Sequence, residues 1–539
     1  AEVDAMPVYR TTVDRAAWRR LPGKEAPALD YGSATEQIRL MRIDELHRLG
    51  YTGSGVRLAF LDSGFDREHE ALQRARIVAE RDFQRMVRPL DQYGDPDTTR
   101  WRPDSVTSYE RDQDTSRVQT WHGTGMLSIA GAYKAGSLIG SAYNADFILG
   151  KTEHVHSLTE ADFQQEEDWF VAGMEWAADS AGADIISSSL GYRQWRDSAD
   201  YAYADMNGAA ARCTRAADSA AARGVLVLNS MGNIGDAAAR NNRPDTCILA
   251  PADGRAVLGV GGVWAGTKAW AYPPVGTTGA GPAAGPAADS LRHGPDSVMV
   301  RRIKPDISSS WQNYYAYNEP DPLTGGYNLI YAGTGTSGAT ALTAGLCALL
   351  MEAHPSWGPQ QVIAALKHSG SNRAAVETYL AHPETLGTAQ AAFAGIASGH
   401  FYYGATDLYD VFRVGWGVPD GIAALNYTAP EVVLPDQDEL LDPYPNPAKP
   451  GAAGVNFPYF LSRDSYAVTL RLYTLDGRLV RRIELGQQLA GQYPPLKFNR
   501  AKGRSGVGAG AFWDLRDDAG GPVPAGAGES GQVQSGQQG

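Results

Sequence analysis

Three side chains of the kinds that serine acyl transfer requires sit at the ends of apolar runs. Asp62 closes VRLAFLD, His122 opens HGTGMLSIAG, and Ser337 follows GTGT ahead of the helix-like run AGLCALLMEA. A serine hydroxyl attacks a carbonyl carbon only when a base removes its proton, and an imidazole does this best when a buried carboxylate fixes its tautomer. Each residue also has a plainer reading. Asp-Ser-Gly forms turns, His-Gly begins helices and Thr-Ser-Gly caps them. All three residue types together, each at the end of an element, favour the catalytic reading.

The elements that must position them can be read from periodicity. Between Val56 and Leu425 the short apolar runs VRLAFLDSG, DFILGK, ADIISSSLG, GVLVLNSMGN and AVLGVGGV alternate with HGTGMLSIAGAY, EEDWFVAGMEWAADSAG and CTRAADSAAARG. Near-continuous apolar strands separated by amphipathic helices predict an α/β fold, doubly wound, with a mainly parallel sheet flanked by helices. In such sheets the ligand crevice lies beyond the carboxyl ends of the strands, where Asp62, Ser189 and Asn233 fall. Gly-Asn at 232–233 is by itself a turn that tolerates positive φ, but it follows the buried-type run VLVLNS.

A chain of 539 residues exceeds what one core usually organises, so a large domain and a smaller module are expected. With 43% hydrophobic and 20% charged residues it has the makings of a core and is not a disordered chain. Its formal net charge of -13 argues against a nucleic-acid partner, because phosphate neutralisation needs a basic face. No apolar run approaches the roughly 20 residues that span a bilayer. The start, AEVDAMPVYR, reads as processed or clipped. The expected segments are an N-terminal extension over 1–30, the α/β domain over 31–425 and a Pro- and acid-rich linker over 426–450. A small all-β, sandwich-like module over 451–526 and an unstructured Gly/Ser/Gln tail over 527–539 complete the chain.

The order Asp, His, Ser separates this chain from the other orders in which such triads occur. Together with LDSGFDREHEAL, WHGTGMLSIAG, SSSLGY (Ser187 to Tyr192), NSMGNIG and GTSGATALTAG, it makes the sequence resemble the subtilisin-like serine proteases from about Tyr31 to Leu425. The resemblance implies a secreted or cell-surface endopeptidase with Asp62, His122 and Ser337 as catalytic triad and polypeptides as substrates. It implies that the Asn233 amide and the Ser337 backbone N–H donate to the oxyanion; in subtilisin itself, loss of the asparagine donor costs about 3–4 kcal/mol. It implies that Ser189, Leu190 and Gly191 pair with an extended substrate, and that Met231 and Gly232 line one side of the primary specificity pocket. The chain departs from the family at Gly338, where a bulky residue is usual, and at Ala341, where a proline is usual. A less rigid serine helix is therefore expected, glycine in a helix costing about 1 kcal/mol relative to alanine.

Other candidates have structural readings. Glu160, Asp162, Glu166, Glu167 and Asp168 would favour basic substrates if they faced the cleft; complementing a helix dipole or facing solvent is the preferred reading. His69 fits a structural position, and His154 and His156 lack the company of a metal site. No metal ligands are assigned and no cofactor is required. AYKAGSLIG is too short and oxygen-poor for the family's calcium loop, and calcium elsewhere is left open. Cys347 reads as a core residue, while Cys213 and Cys247 are a candidate bridge in an exported protein. A monomer is expected. From Tyr444 to Gly526, YPNP, LDGR and FWDLRDDAGGPVPAG resemble immunoglobulin-like domains related to hook-capping proteins and bacterial secretion domains, which end in a strand that the Gln/Gly tail here does not promise. Two competing functions are the alternatives. A degenerate homologue acting as a binding or adhesion scaffold is opposed by the retained triad and Asn233. An α/β-hydrolase esterase is opposed by GTSGA, which lacks the second glycine of a nucleophile elbow.

Overall fold

The computed structural model describes residues 29–428, except 88–101, 105–117, 154–163, 196–197, 235–247, 269–270, 272–286, 294–297, 318–328 and 383–410, together with strand segments between 439 and 533. The chain divides into two units. One comprises Glu25–Ala221 and Val225–Thr428, the other Ala1–Lys24, Ala222–Gly224 and Ala429–Gly539.

The larger unit opens with two short helices, α1 (Thr35–Leu40) and α2 (Ile43–Arg48), whose Ile38, Ile43 and Leu46 are fully buried. Then come β1 (Arg57–Asp62), β2 (Arg76–Val87), β3 (Arg102–Asp104) and helix α3 (Val118–Gly131). A small hairpin, β4 (Tyr133–Lys134) and β5 (Leu138–Ile139), leads to β6 (Asp146–Lys151), α4 (Gln164–Asp179), β7 (Ile185–Ser188), α5 (Arg212–Ala222), β8 (Leu226–Ser230) and β9 (Leu258–Val263). A pair, β10 (Ser290–His293) with β11 (Val298–Arg301), precedes β12 (Ile307–Ser310). The hairpin β13 (Gln312–Tyr317) and β14 (Leu329–Thr334) then runs into the serine helix, Thr336–Ala353.

Eight strands form one sheet in the order β12-β9-β8-β7-β1-β6-β2-β3. Every pairing is parallel except the edge pair β2–β3. From β1 the chain builds outward one way through β6 and β2, and the other way through β7, β8, β9 and β12. Asp62, paired with Lys151 across β6, therefore ends the strand at which the order reverses, where crevices form. The apolar runs look continuous because both faces are covered. Leu58 and Phe60 join the core beneath α3 and the serine helix, while Ala59 and Leu61 join the core with Phe170 and Met174 of α4 and Ala217 of α5.

The serine helix is buried at every position from Thr336 to Leu350. Packing on all sides replaces the stiffness that Gly338 and Ala341 were expected to remove. At its far end the Glu352 carboxylate accepts from the N–H groups of Thr52 (2.6 Å), Gly53 (2.7 Å) and Ser54 (3.2 Å), tying the approach to β1 to the helix. Before β12, Asp306 accepts from the ammonium groups of Lys304 and Lys367, both at 2.7 Å, and from Gly259 N–H at 2.8 Å. Burial works against the Asp306 charge, but the two cations outweigh it and hold the carboxyl well below the usual carboxylate range.

Two expectations change. Of the two readings of the acidic cluster, facing solvent fails for Glu166 and Glu167, which are 1% and 0% exposed, whereas both do lie in the first turn of α4, where the helix dipole favours a carboxylate. Glu167 accepts from Tyr201 Oη, Arg212 Nε and Cys213 N–H, so it organises the packing of α4 on α5. Cys213 is a free, buried thiol whose pKa is pushed up by burial and by Glu167, so the candidate bridge is absent; Cys247 lies outside the described residues, as do Glu160, Asp162, His154 and His156. His69 is structural: its Nδ1 accepts from Ala71 N–H at 3.2 Å.

Among the described strands of the smaller unit every pairing is antiparallel. Ser465–Tyr473 pairs with Leu479–Gln488, the hairpin expected around LDGR. Ser530–Val533, expected to be tail, pairs with Leu470–Tyr473 on the hairpin's open side, where unpaired backbone groups otherwise face water. Glu439–Leu440, within the expected linker, pairs with Tyr459–Phe460.

Candidate active site

Asp62 and His122 meet because α3 lies directly against the turn that follows β1. A side chain at Gly123 would begin 2.1 Å from the Gly64 carbonyl oxygen, so only glycine lets the helix approach this closely. Thr124 fixes the contact, its Oγ1 accepting from Asp66 N–H at 2.7 Å and donating to Thr120 O at 2.6 Å. The helix starts at Val118, so His122 lies in its second turn and not at its opening.

Asp62 Oδ1 accepts from Ser63 N–H (2.7 Å), Ser63 Oγ (3.2 Å) and His122 Nδ1 (2.7 Å). The Asp62 side chain is 1% exposed and that of His122 20%. This network places the imidazole proton on Nδ1, leaving Nε2 as an acceptor with no hydrogen-bond partner among the described residues. Trp121 meets the imidazole edge-on, its ring centroid 5.3 Å away. Burial opposes the imidazolium, but the Asp62 charge and hydrogen bond outweigh it and raise the His122 pKa above its ordinary 6.5. A base must be neutral, so kcat/KM is expected to rise with pH through a pKa above 6.5. Asp62→Asn removes the raising charge, leaves burial dominant and should move that limb to lower pH; a pH–rate profile of both proteins checks it. The sign for stability is opposite. The pair stabilises the fold fully below pH 6.5, and its contribution is lost as pH rises through the folded pKa.

Ser337 is the second residue of its helix and 9% exposed. Its Oγ points to Ser189 O at 3.5 Å, and Ser189 Oγ donates to Ser337 O at 3.2 Å, which sets the serine against the end of β7. Among the described residues Ser337 and His122 are not hydrogen-bonded to each other, although α3 and the serine helix pack together. Bonds of this kind commonly close only around substrate. Gly338 leaves room for the Asn313 side chain, whose Nδ2 lies 2.6 Å from where a Cβ would stand. The bulky neighbour missing after Ser337 is thus replaced from the β13–β14 hairpin.

Asn233 is aimed by a residue the sequence reading passed over. Thr336 donates to Asn233 Oδ1 from its N–H (2.9 Å) and its Oγ1 (3.0 Å), and its Oγ1 accepts from Gly232 N–H at 3.1 Å. With Oδ1 held, Nδ2 is the end left to donate, next to first-turn N–H groups of the serine helix that have no intrahelical partner. The Thr in GTGTSG was a usable signal, since a hydroxyl preceding the serine stands beside whatever faces the helix start.

Ser189, Leu190 and Gly191 run on from β7 past Ser337, and Asn229 Nδ2 donates to Leu190 O at 2.9 Å. The side chain of Met231 lies in the core, fully buried with Val257 and Ala252; the residue's N–H pairs with Val260 O at 3.1 Å, and its sulfur lies 3.1 Å from where a Cβ of Gly259 would stand. The residue extends the pairing of β8 beyond Ser230, which turns its side chain into the core instead of the cleft. Gly232 and Gly191 both abut Leu249. Groupings of three or more His, Cys, Asp or Glu suited to a metal ion do not occur among the described residues.

A parallel sheet with an Asp at its reversal point, a His held by that Asp and a Ser heading a buried helix together define a class. Residues 53–399 match the model of the subtilase family, peptidase S8, and the chain belongs to that family. It is 25% identical to subtilisin NAT of Bacillus subtilis subsp. natto over 338 residues, and 24% identical to subtilisin J of Geobacillus stearothermophilus over the same length. Each match covers 62% of this chain, and the chain spans 65% of the length of these curated relatives. Among solved structures, MycP1 from Mycobacterium smegmatis is similar with a TM-score of 0.43 at 17% identity, over 80% of this chain and 89% of that one.

Proposed function

We propose that the chain is a serine endopeptidase that hydrolyses peptide bonds of polypeptides. His122 Nε2 takes the proton of Ser337 Oγ as the oxygen attacks the scissile carbonyl carbon. Asp62 holds the imidazole and stabilises the imidazolium. Asn233 Nδ2 and the Ser337 N–H receive the charge that develops on the carbonyl oxygen. His122 then passes its proton to the leaving amine, and water, activated by the same imidazole, releases the acyl group. The observation that carries this reading is the 2.7 Å bond from His122 Nδ1 to buried Asp62, which leaves Nε2 as an acceptor without a hydrogen-bond partner among the described residues.

Ser189–Gly191 serve as the edge on which the acyl half of the substrate lies, and Gly232 as part of the wall opposite. The proposed chemistry requires no cofactor. The domain boundaries at 31–425 and 451–526, an immunoglobulin-like character of the second unit, a monomeric state and a secreted or cell-surface location complete the proposal. They rest on the family resemblance and on the export of proteins with such modules. A fluorophosphonate probe tests the chemistry: covalent labelling of folded protein at Ser337 is expected, and folded protein that resists the probe refutes it. Asn233→Leu is expected to lower kcat by about 10²–10³-fold with KM little changed, as removal of an oxyanion donor does in subtilisin itself. Steady-state kinetics decide this; an unchanged kcat would remove Asn233 from the oxyanion site.

A further inference from the structure

We propose that Leu249 closes the primary specificity pocket of this chain, so that the residue whose carbonyl is attacked must be small: glycine, alanine or serine. The proposal rests on the peptidase reading and on the place it gives the substrate. With the acyl half along Ser189–Gly191 and its carbonyl oxygen toward Asn233, the side chain next to the scissile bond enters between Gly191 and Gly232. Leu249 stands in that gap. Its Cδ1 is 2.8 Å from where a Cβ of Gly191 would be and 2.5 Å from where a Cβ of Gly232 would be, so one isobutyl group touches both walls.

The plug is fixed from behind. Tyr192 N–H donates to Ala250 O at 2.8 Å and Ala250 N–H to Tyr192 O at 3.2 Å, a two-way bridge that sets Leu249 beside Gly191. Ala252 N–H donates to Leu249 O at 3.0 Å. Leu249 is itself half-buried between Ile248 and Ala250, which are fully buried. Its backbone cannot swing aside without breaking these bonds, and interiors resist such displacement. A phenyl or long alkyl side chain would therefore meet Leu249 where an alanine methyl fits.

Internally quenched peptides differing only in Ala or Phe before the scissile bond, assayed together, give a ratio of kcat/KM that does not depend on the active fraction. Wild type is expected to prefer Ala by at least about tenfold, and Leu249→Gly to raise the Phe:Ala ratio by about 100-fold, the range over which pocket volume discriminates. Leu249→Ala should move the ratio the same way by less, and it covers the case in which the glycine variant folds poorly. A wild type that cuts Phe as readily as Ala overturns the proposal. So does a ratio that stays fixed in a Leu249 variant that labels fully with fluorophosphonate. Those outcomes leave the peptidase reading standing, whereas wild-type protein that neither labels nor cuts any peptide overturns both.

Discussion

Ser337→Ala is expected to reduce kcat/KM on a peptide substrate by on the order of 10⁶, the size of the loss in subtilisin when the nucleophile of a triad that acts as a unit is removed. The fold should be unaffected. Among the described residues Ser337 Oγ makes one long hydrogen bond, 3.5 Å to Ser189 O, and the Ser189–Ser337 link that remains uses the Ser337 carbonyl. The variant should therefore keep the parent's thermal transition, and the two measurements together separate loss of chemistry from loss of structure. Asp62→Asn should lie between, about 10⁴-fold down, because the imidazole persists but adopts the wrong tautomer. A Ser337→Ala enzyme retaining a tenth of the parent's activity would remove Ser337 from the mechanism.

Asp306→Ala carries the largest expected effect on stability. It leaves Lys304, 2% exposed, without its carboxylate, and strips Lys367 and the Gly259 N–H of the same acceptor. Breaking one partner of a buried ion pair costs about 3–5 kcal/mol, much more than forming the pair contributes over an apolar substitute. Because the folded Asp306 pKa is depressed, its stabilisation is complete above the ordinary carboxylate pKa and is lost as pH falls through the folded value. Urea unfolding of parent and variant at neutral pH measures the difference. A loss below about 1 kcal/mol, the range of exposed pairs, would show that the cluster is solvated in solution.

The parts of the fold legible in sequence were those governed by local pattern. Burial on both faces wrote Leu58 to Asp62 and Asp146 to Lys151 as unbroken apolar runs ending in polar residues. Asp62, His122, Ser337 and Asn233 stood out because each carries its chemistry within a short recognisable context, and the structure sets Asp62 against His122 and Asn233 against the residue before Ser337. What stayed hidden depended on distant partners. Leu249 reaches the cleft only through the bridge between Tyr192 and Ala250, and Lys367 reaches Asp306 across 61 residues. The burial of the Met231 side chain was not legible from Gly232 and Asn233 beside it, because its own backbone still follows the pairing of β8. The burial of Glu167 stayed hidden for a related reason: its acidic neighbours suggested an exposed helix face, and its three donors, on Tyr201, Arg212 and Cys213, come from residues 34 to 46 positions away.

The space beside Ser337 is filled by Asn313 from the hairpin and not by residue 338 itself. Sequence exchange between relatives is constrained accordingly. A serine segment transplanted from a protein with a large residue after its serine would drive that side chain into Asn313, and a hairpin transplanted without Asn313 would leave a void beside Gly338. Recombination can be expected to succeed only when both segments travel together, so residues 312 to 338 form a single inheritable cassette rather than a hairpin followed by a helix.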